Sequence, residues 1–278
     1  QERGVLDSTL DYYQTALTRL LEELGDDPLA YSAESIRNFT FDYAKRVSRA
    51  RTQGVIVATR AYLRFLAATG RCSPGLVYAV PRLACWKLAT TLRFLEPDDV
   101  DRVIAACNGD EKIRDKAIVL LLARLGLRAS EVANLELPNI DWKNARIAIV
   151  GKMRREEHLP LTQEVGDALL AYIGRARPRA PSSRVFFTDI APILPLSRIA
   201  IKCVVKRAIG RAGVECEHHG AHVLRHSAAT GMLRGGVSLA GVGAVMRHRS
   251  PAMTLHYAKV DFGLLSDVAQ PWIGRLPC

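Results

Sequence analysis

Apolar residues along the first third of the chain recur at helical spacing. Leu6, Leu10, Tyr13, Leu17, Leu20 and Leu21 predict a helix over 5–24, closed by Gly25-Asp26-Asp27. A second helix is expected over 32–50, with Ser32 as N-cap and Ser35 as its rival. A third spans 53–69, with Val55, Val57, Leu63, Phe65 and Leu66 apolar, Arg60 and Arg64 at i, i+4, and Gly70 past its end. The stretch from Cys72 to Trp86, with Pro74 and Pro81, reads as irregular. No period-two run appears, so residues 1–90 read as a small helical domain.

Residues 88–97 read as a connection, after which Pro97-Asp98-Asp99 opens a helix with acids at its positive end. KIRDKAIVLLLARLG (112–126) is a strongly apolar helix stopped at Gly126, and Ser130 is the expected N-cap of a short one. The period then changes. Ile147, Ile149, Leu159 and Leu161 alternate around a polar turn holding Gly151, Lys152, Arg154 and Arg155, a hairpin signal. Helices are expected again over 163–175, 196–212, 221–235, 238–247 and 252–259, with a strand at Val185–Phe187. Residues 91–278 therefore form a second domain, mostly helical with a small antiparallel sheet. The whole chain is mainly α.

Charge sharpens this division. The 278 residues carry a net charge of +11. Residues 1–36 hold two Arg and eight acids, whereas residues 37–92 hold ten Lys or Arg and one acid, Asp42. So basic a segment suggests a polyanionic partner, against the alternative of a merely solvated face. The six cysteines, Cys72, Cys85, Cys107, Cys203, Cys216 and Cys278, form no CxxC pair and read as reduced thiols. No run of 18 apolar residues or signal core is present, so a cytoplasmic protein without membrane association is expected, nucleoid-associated if the polyanion is DNA.

Six of the seven histidines fall between His218 and His256. In AHVLRHSAAT (221–230), His222, Arg225 and His226 stand at i, i+3 and i+4, on one helix face. Three readings compete: two legs of a zinc site, a wall of a phosphate pocket, or a polar helix face. Cys216 near His218, His219 and His222 matches no standard zinc spacing. Farther on, RHRSPAMTLHY places His248 nine residues before Tyr257; upstream, LGLRASEV sets Arg128 at the end of a buried helix.

Four blocks in this order resemble the tyrosine recombinases, the phage integrase and Xer-type enzymes. LGLRASEV resembles the first catalytic-arginine box and IVGKMRREEHLPL the catalytic-lysine turn. HVLRH resembles the His-x-x-Arg box, and RHRSPAMTLHY the block that usually reads Gly-His with Tyr nine residues on. The resemblance implies a helical, SAM-like core-binding domain and an α+β catalytic domain that clamp duplex DNA. It implies cleavage and rejoining through a 3′-phosphotyrosyl intermediate, with no cofactor and no metal.

Two guanidiniums, Arg128 and Arg225, suit the charge that develops on the non-bridging phosphate oxygens. His222 and His248 would add hydrogen bonds or move protons. Lys152 would protonate the departing 5′-oxygen and Tyr257 would attack, the surrounding cations favouring its phenolate. Glu131 fits a supporting acid beside Arg128, and His226 a supporting role. Arg60, Arg64, Lys202 and Lys206 are candidate DNA contacts by charge and spacing. The partner implied is a double-stranded recombination site engaged by a homotetramer on paired sites, with or without related recombinase subunits. Integration, excision or transposition of a mobile element is the expected use, and residues 258–278 the expected subunit-swapping element.

Three other functions compete: a non-catalytic DNA-binding regulator or accessory recombinase, a type IB topoisomerase-like relaxing enzyme, and a metal-dependent nuclease built on His218–His226. One position departs from the family pattern. Arg247 stands where Gly is usual, and a long cation there is expected to depress the protonation of His248 or to touch the DNA backbone.

Overall fold

The computed structural model describes residues 7–84, 93–150, 156–217, 219–248 and 250–258, the side chains of residues 7, 8 and 258 excepted. The chain divides into two compact units, Gln1–Lys87 and Leu88–Cys278.

The first unit is helical. It contains α1 (Asp7–Leu24), α2 (Ala33–Arg46), α3 (Arg49–Ala68) and a single turn, α4 (Leu76–Ala79). The two rivals for the start of α2 cooperate: Ser32 Oγ accepts from the Ser35 N–H at 3.0 Å, and Ser35 Oγ accepts from the Ser32 N–H at 3.1 Å. Leu20, Phe39, Val55 and Ala58 bury one contact zone, while Ile36, Ile56, Leu63 and Leu66 bury another. The α4 turn lies in the stretch expected to be irregular. It is too short to carry a period, and the prolines that flank it suggested only punctuation.

The second unit is built around α6 (Ile113–Ala123), in which Ala117 through Leu122 are wholly buried. Such a helix is apolar on every side because neighbours cover every side. Around it stand α5 (Pro97–Ala105), α7 (Ala129–Ala133), α8 (Gln163–Ala171), which widens into a π-turn at Tyr172–Ala176, and α9 (Arg198–Arg211). The chain continues through α10 (Ala221–Arg234), α11 (Leu239–Val245) and α12 (Pro251–Ala258).

The hairpin pairs β2 (Arg146–Val150) with β3 (Glu156–Pro160), with Ile147 opposite Leu159. A short β1 (Ile140–Asp141), too brief to show alternation, pairs antiparallel to β2 and completes a three-stranded sheet.

Two local expectations change. Val185, Phe186 and Phe187 are buried, with Val185 N–H bonded to Leu135 O and Leu196 N–H to Phe186 O, but they form no continuous strand: Phe187 makes only an isolated antiparallel bridge with Pro195. Ser130 is not a cap: α7 starts one residue earlier, after Arg128, which has extended backbone angles. Among the described residues no helix is long and apolar enough to cross a membrane.

Candidate active site

The site gathers on one side of α6. Past the end of that helix the chain turns through Gly126, whose φ of +60° is a left-handed conformation that glycine adopts without steric cost. A Cβ there would also press on the flexible end of the Met246 side chain, which would have to shift. The turn delivers Leu127 into the core and Arg128 to its rim, the side chain 30% exposed.

Glu131 holds Arg128. Its Oε2 accepts the Arg128 backbone N–H at 2.7 Å and its Oε1 accepts Nη1 at 2.6 Å. Burial pushes the Glu131 carboxyl pKa up, but Arg247 and Arg128 outweigh it and hold the group below the usual carboxylate range. The Arg128 Nη2 donates to the carbonyl of Arg247 at 3.0 Å.

Arg225 lies in the middle of α10 and is buried, 4% exposed. Its Nη1 donates to Gly126 O and its Nη2 to Met246 O. Burial, then the charges of Arg128 and Arg247, lower its pKa to about 10, so it remains a cation at neutral pH. Both guanidiniums thus donate to the turn after α11, and Arg225 donates as well to the turn after α6, from which Arg128 projects. A guanidinium has more N–H groups than these bonds use, which leaves donors for an anion.

His222, one turn before Arg225, is exposed. Loss of water on its inner side, then Arg225, Lys202, Arg128 and Arg198, lowers its pKa. Lys202 therefore acts on the site, with Arg198 one turn before it on α9. The sequence reading missed Arg198, although its i, i+4 relation to Lys202 was available. Lys206 is exposed one turn farther along.

The tyrosine is inside. Tyr257, on α12, is 2% exposed, and its hydroxyl lies 2.7 Å from His226 Nδ1. Its ring stacks on His248, with centroids 5.9 Å apart and planes 14° apart. His248 Nδ1 lies 2.9 Å from Thr254 Oγ1, a partner that no spacing rule marked. Thr254 reaches it because Gly243 leaves room between α11 and α12: a Cβ there would sit 2.9 Å from Thr254 Oγ1.

Burial, followed by neighbouring cations, lowers both His226 and His248 to about 4. For Tyr257 burial raises the pKa, while Arg225 and Arg128 lower it without prevailing. The cations do favour the phenolate, as expected, but in this arrangement desolvation is the larger effect and the net shift is upward.

His222, Arg225, His226, Arg128, Glu131, His248 and Tyr257 are therefore brought together. Lys152 and its rivals Arg154 and Arg155 lie outside the described residues, as does His218; β2 and β3 end at the Val150–Glu156 pair beside the former. Among the described residues no three metal-ligating side chains converge.

Two of the cations singled out by sequence are engaged within the protein. Arg247 does not reach outward: its side chain is 5% exposed and its Nη2 donates to Glu131 at 2.7 Å. Its charge does act to lower the pKa of His248, after burial, Arg225 and Arg128. Arg60 is half-buried in the first unit, where its Nη2 donates to Val80 O at 2.9 Å and Pro81 O at 3.0 Å. Arg64 is exposed.

Comparison with known proteins identifies the family and the fold. The model of the phage integrase family matches residues 93–263. A putative integrase/recombinase of Sinorhizobium fredii (strain NBRC 101917 / NGR234), y4rA, is 41% identical over 280 residues, covering 98% of this chain and 68% of its own length. Tyrosine recombinase XerC of Chlorobaculum parvum (strain DSM 263 / NCIMB 8327) is 32% identical over 241 residues, covering 77% of this chain and 70% of its own length.

Two solved structures share the fold. XerH recombinase in its post-cleavage complex with a palindromic difH substrate gives a TM-score of 0.77 at 17% identity, covering 94% of this chain and 79% of that one. A lambda integrase dimer on a COC′ core site gives 0.73 at 17% identity, covering 92% and 89%. A mainly helical chain with a small antiparallel sheet, two arginines beside a tyrosine and these relatives define a DNA-breaking and DNA-joining class of enzyme. The chain belongs to the phage integrase family of tyrosine recombinases.

Proposed function

We propose that this chain is a site-specific recombinase that breaks and rejoins duplex DNA through a 3′-phosphotyrosyl bond at Tyr257, without a metal ion, in the movement of a mobile element. The observation that carries this reading is the meeting of two anchored guanidiniums, Arg128 and Arg225, with a tyrosine whose hydroxyl is bonded to a neutral imidazole.

The phenol Oη forms the bond to phosphorus as the bond to the 5′-oxygen breaks. With a pKa near 4, His226 is uncharged at neutral pH, and in the tautomer that carries its hydrogen on Nε2 the Nδ1 accepts the phenolic hydrogen and takes the proton as the attack develops. This raises His226 from a supporting to a catalytic role. Arg128, Arg225, His222 and His248 bind the phosphate oxygens, and Lys152 protonates the 5′-oxygen. Charge on the phosphate is met by fixed cations, the part a divalent metal plays in other phosphoryl transfers.

The burial of Tyr257 supports an order of events. DNA binding must expose this hydroxyl or bring the phosphate to it before cleavage. Lys202, Lys206 and Arg198 extend the phosphate contacts along α9, and Arg64 contributes from the basic first unit. A tetramer on two duplex sites, acting in the cytoplasm at the nucleoid, is the assembly that strand exchange requires.

The test begins with a duplex selected by this chain from a random-sequence pool. That duplex, nicked so that cleavage releases a short end, is incubated with protein in EDTA. A covalent adduct should accumulate with wild type and be absent with Tyr257→Phe. An adduct that needs a divalent metal overturns metal independence. Tight binding with no adduct supports the regulator reading instead, and relaxation of supercoils without exchange supports the topoisomerase-like one.

A further inference from the structure

The side chain of Arg247 has no part in the chemistry just described, yet it is among the most deeply placed charges of the second unit. Its backbone has a φ of +53°, in the region where the glycine usual in this family sits at ease and an L side chain is strained. Arginine adopts the same conformation and adds an anchor. Its Nη2 donates to Glu131 Oε2 at 2.7 Å and its Nη1 to Val245 O at 2.9 Å. Glu131 also holds the Arg128 backbone and guanidinium, and Arg128 returns a hydrogen bond to the Arg247 carbonyl at 3.0 Å. The result is a closed ring of contacts in which two guanidiniums share one carboxylate. It joins the turn before α7 to the turn that carries His248.

We propose that Arg247 is a positioning residue for strand cleavage: its buried guanidinium clips the His248 turn to Glu131, setting Arg128 and His248 relative to one another. The proposal rests on the recombinase reading for its catalytic consequence, but not for the anchor itself. A bare glycine would give the turn the same dihedral and no tether. Lysine would give the charge without the fork that reaches Glu131 and Val245 together. The charged groups that face the carboxylate are Arg128 from the start of α7, Arg225 from α10 and Arg247 from the turn after α11. Removing Arg247 takes away the first of the charges that keep Glu131 ionised against its burial.

The experiment compares wild type with Arg247→Met, Arg247→Gly and Arg247→Lys, using the nicked duplex selected above. Single-turnover adduct formation is followed against pH at saturating duplex, with the duplex Kd measured alongside. Met and Gly should slow the adduct by about 100-fold, the scale of an ångström-sized misplacement, without weakening duplex binding. Their acid limb should move to higher pH, because a newly protonated Glu131 releases Arg128. Lys should restore the acid limb and only part of the rate.

Glu131 itself is read by NMR on protein with carbon-13 glutamate carboxyls, its signal assigned by Glu131→Gln. Its titration should move upward in Arg247→Met. A rate–pH profile superimposable on wild type, or an unmoved Glu131 titration, overturns the proposal. So does a loss confined to duplex Kd. Absence of any wild-type adduct refutes the recombinase reading, and the Glu131 titration then decides the anchor alone.

Discussion

The phosphate-facing and tyrosine-bearing parts of the site rest on different foundations. Arg128 and Arg225 stand on the main core of the second unit, against α6, with their guanidiniums tied to backbone carbonyls. Tyr257 sits in a separate small cluster with Ala229, Leu233, Val242 and Met246, carried by two short helices. Helix α11 is Leu239–Val245, LAGVGAV, with two glycines and little apolar bulk to bury. Tyr257 thus lies on the less heavily anchored part of the unit, and the turn after α11, whose Met246 and Arg247 carbonyls accept from the two guanidiniums, joins the two parts. A recombinase gains from this division. On the proposed mechanism, fixed guanidiniums keep their electrostatic advantage while the buried tyrosine is withheld from attack until DNA binding exposes it.

Stability should separate the two parts most sharply. Leu121→Ala opens a cavity in a wholly buried helix and should destabilise the protein by about 3 kcal/mol, whereas Leu239→Ala, beside the small cluster, should cost about 1 kcal/mol in denaturant unfolding. Amide exchange in α12 should likewise be faster than in α6. Equal costs and equal protection would break the comparison. Next in size, Arg225→Lys should slow adduct formation by about 100-fold, since one ammonium cannot span the Gly126 and Met246 carbonyls and a phosphate as well. Tyr257→Phe should leave α6 as protected as in wild type.

Acid should loosen the tyrosine side first. His226 and His248 have folded pKa values near 4, below the 6.5 of a free ring, so the unfolded chain takes up these protons first. Stability is full above pH 6.5 and falls between there and 4, by on the order of 1–3 kcal/mol for the two rings after allowance for their partial exposure. The depressed Glu131 contributes stability that is lost only lower, as pH falls through its folded value. Protection in α11 and α12 should therefore drop between pH 6.5 and 4.5 while that of α6 changes little. Parallel loss in all three would argue for one cooperative unit.

How much of this was legible in the sequence depended on whether a residue's partners were close along the chain. His222 and Arg225 are one helical turn apart, so their shared face followed from spacing alone. The apolar run of α6 and the alternation of Ile147, Ile149 and Leu159 likewise fixed a buried helix and a hairpin. The effect of Arg247 on its neighbour His248 was legible, but its ion pair was not, because its partner Glu131 is distant in sequence and nothing local tells an inward arginine from an outward one. The burial of Tyr257 was hidden for the same reason, since the residues that cover it come from α10 and α11. Val185–Phe187 was apolar enough for a strand but lacked a neighbouring strand to pair with, and only the tertiary fold decides that.

The smallest expected effect tests whether charge alone identifies a DNA contact. Arg60 and Arg64 are one turn apart on α3 and indistinguishable by sequence, but Arg60 braces the Val80 and Pro81 carbonyls whereas Arg64 is exposed. Arg64→Ala should leave stability unchanged and lower the slope of log affinity against log salt by about 1, the loss of a single phosphate contact. Arg60→Ala should do the reverse, keeping the salt slope while costing about 1 kcal/mol in unfolding as two carbonyls lose their donor. An equal change of slope in both would mean that Arg60 leaves its carbonyls when DNA binds. In that case the brace would be a resting state of a phosphate contact, as the Tyr257–His226 bond is of the nucleophile on the proposed mechanism.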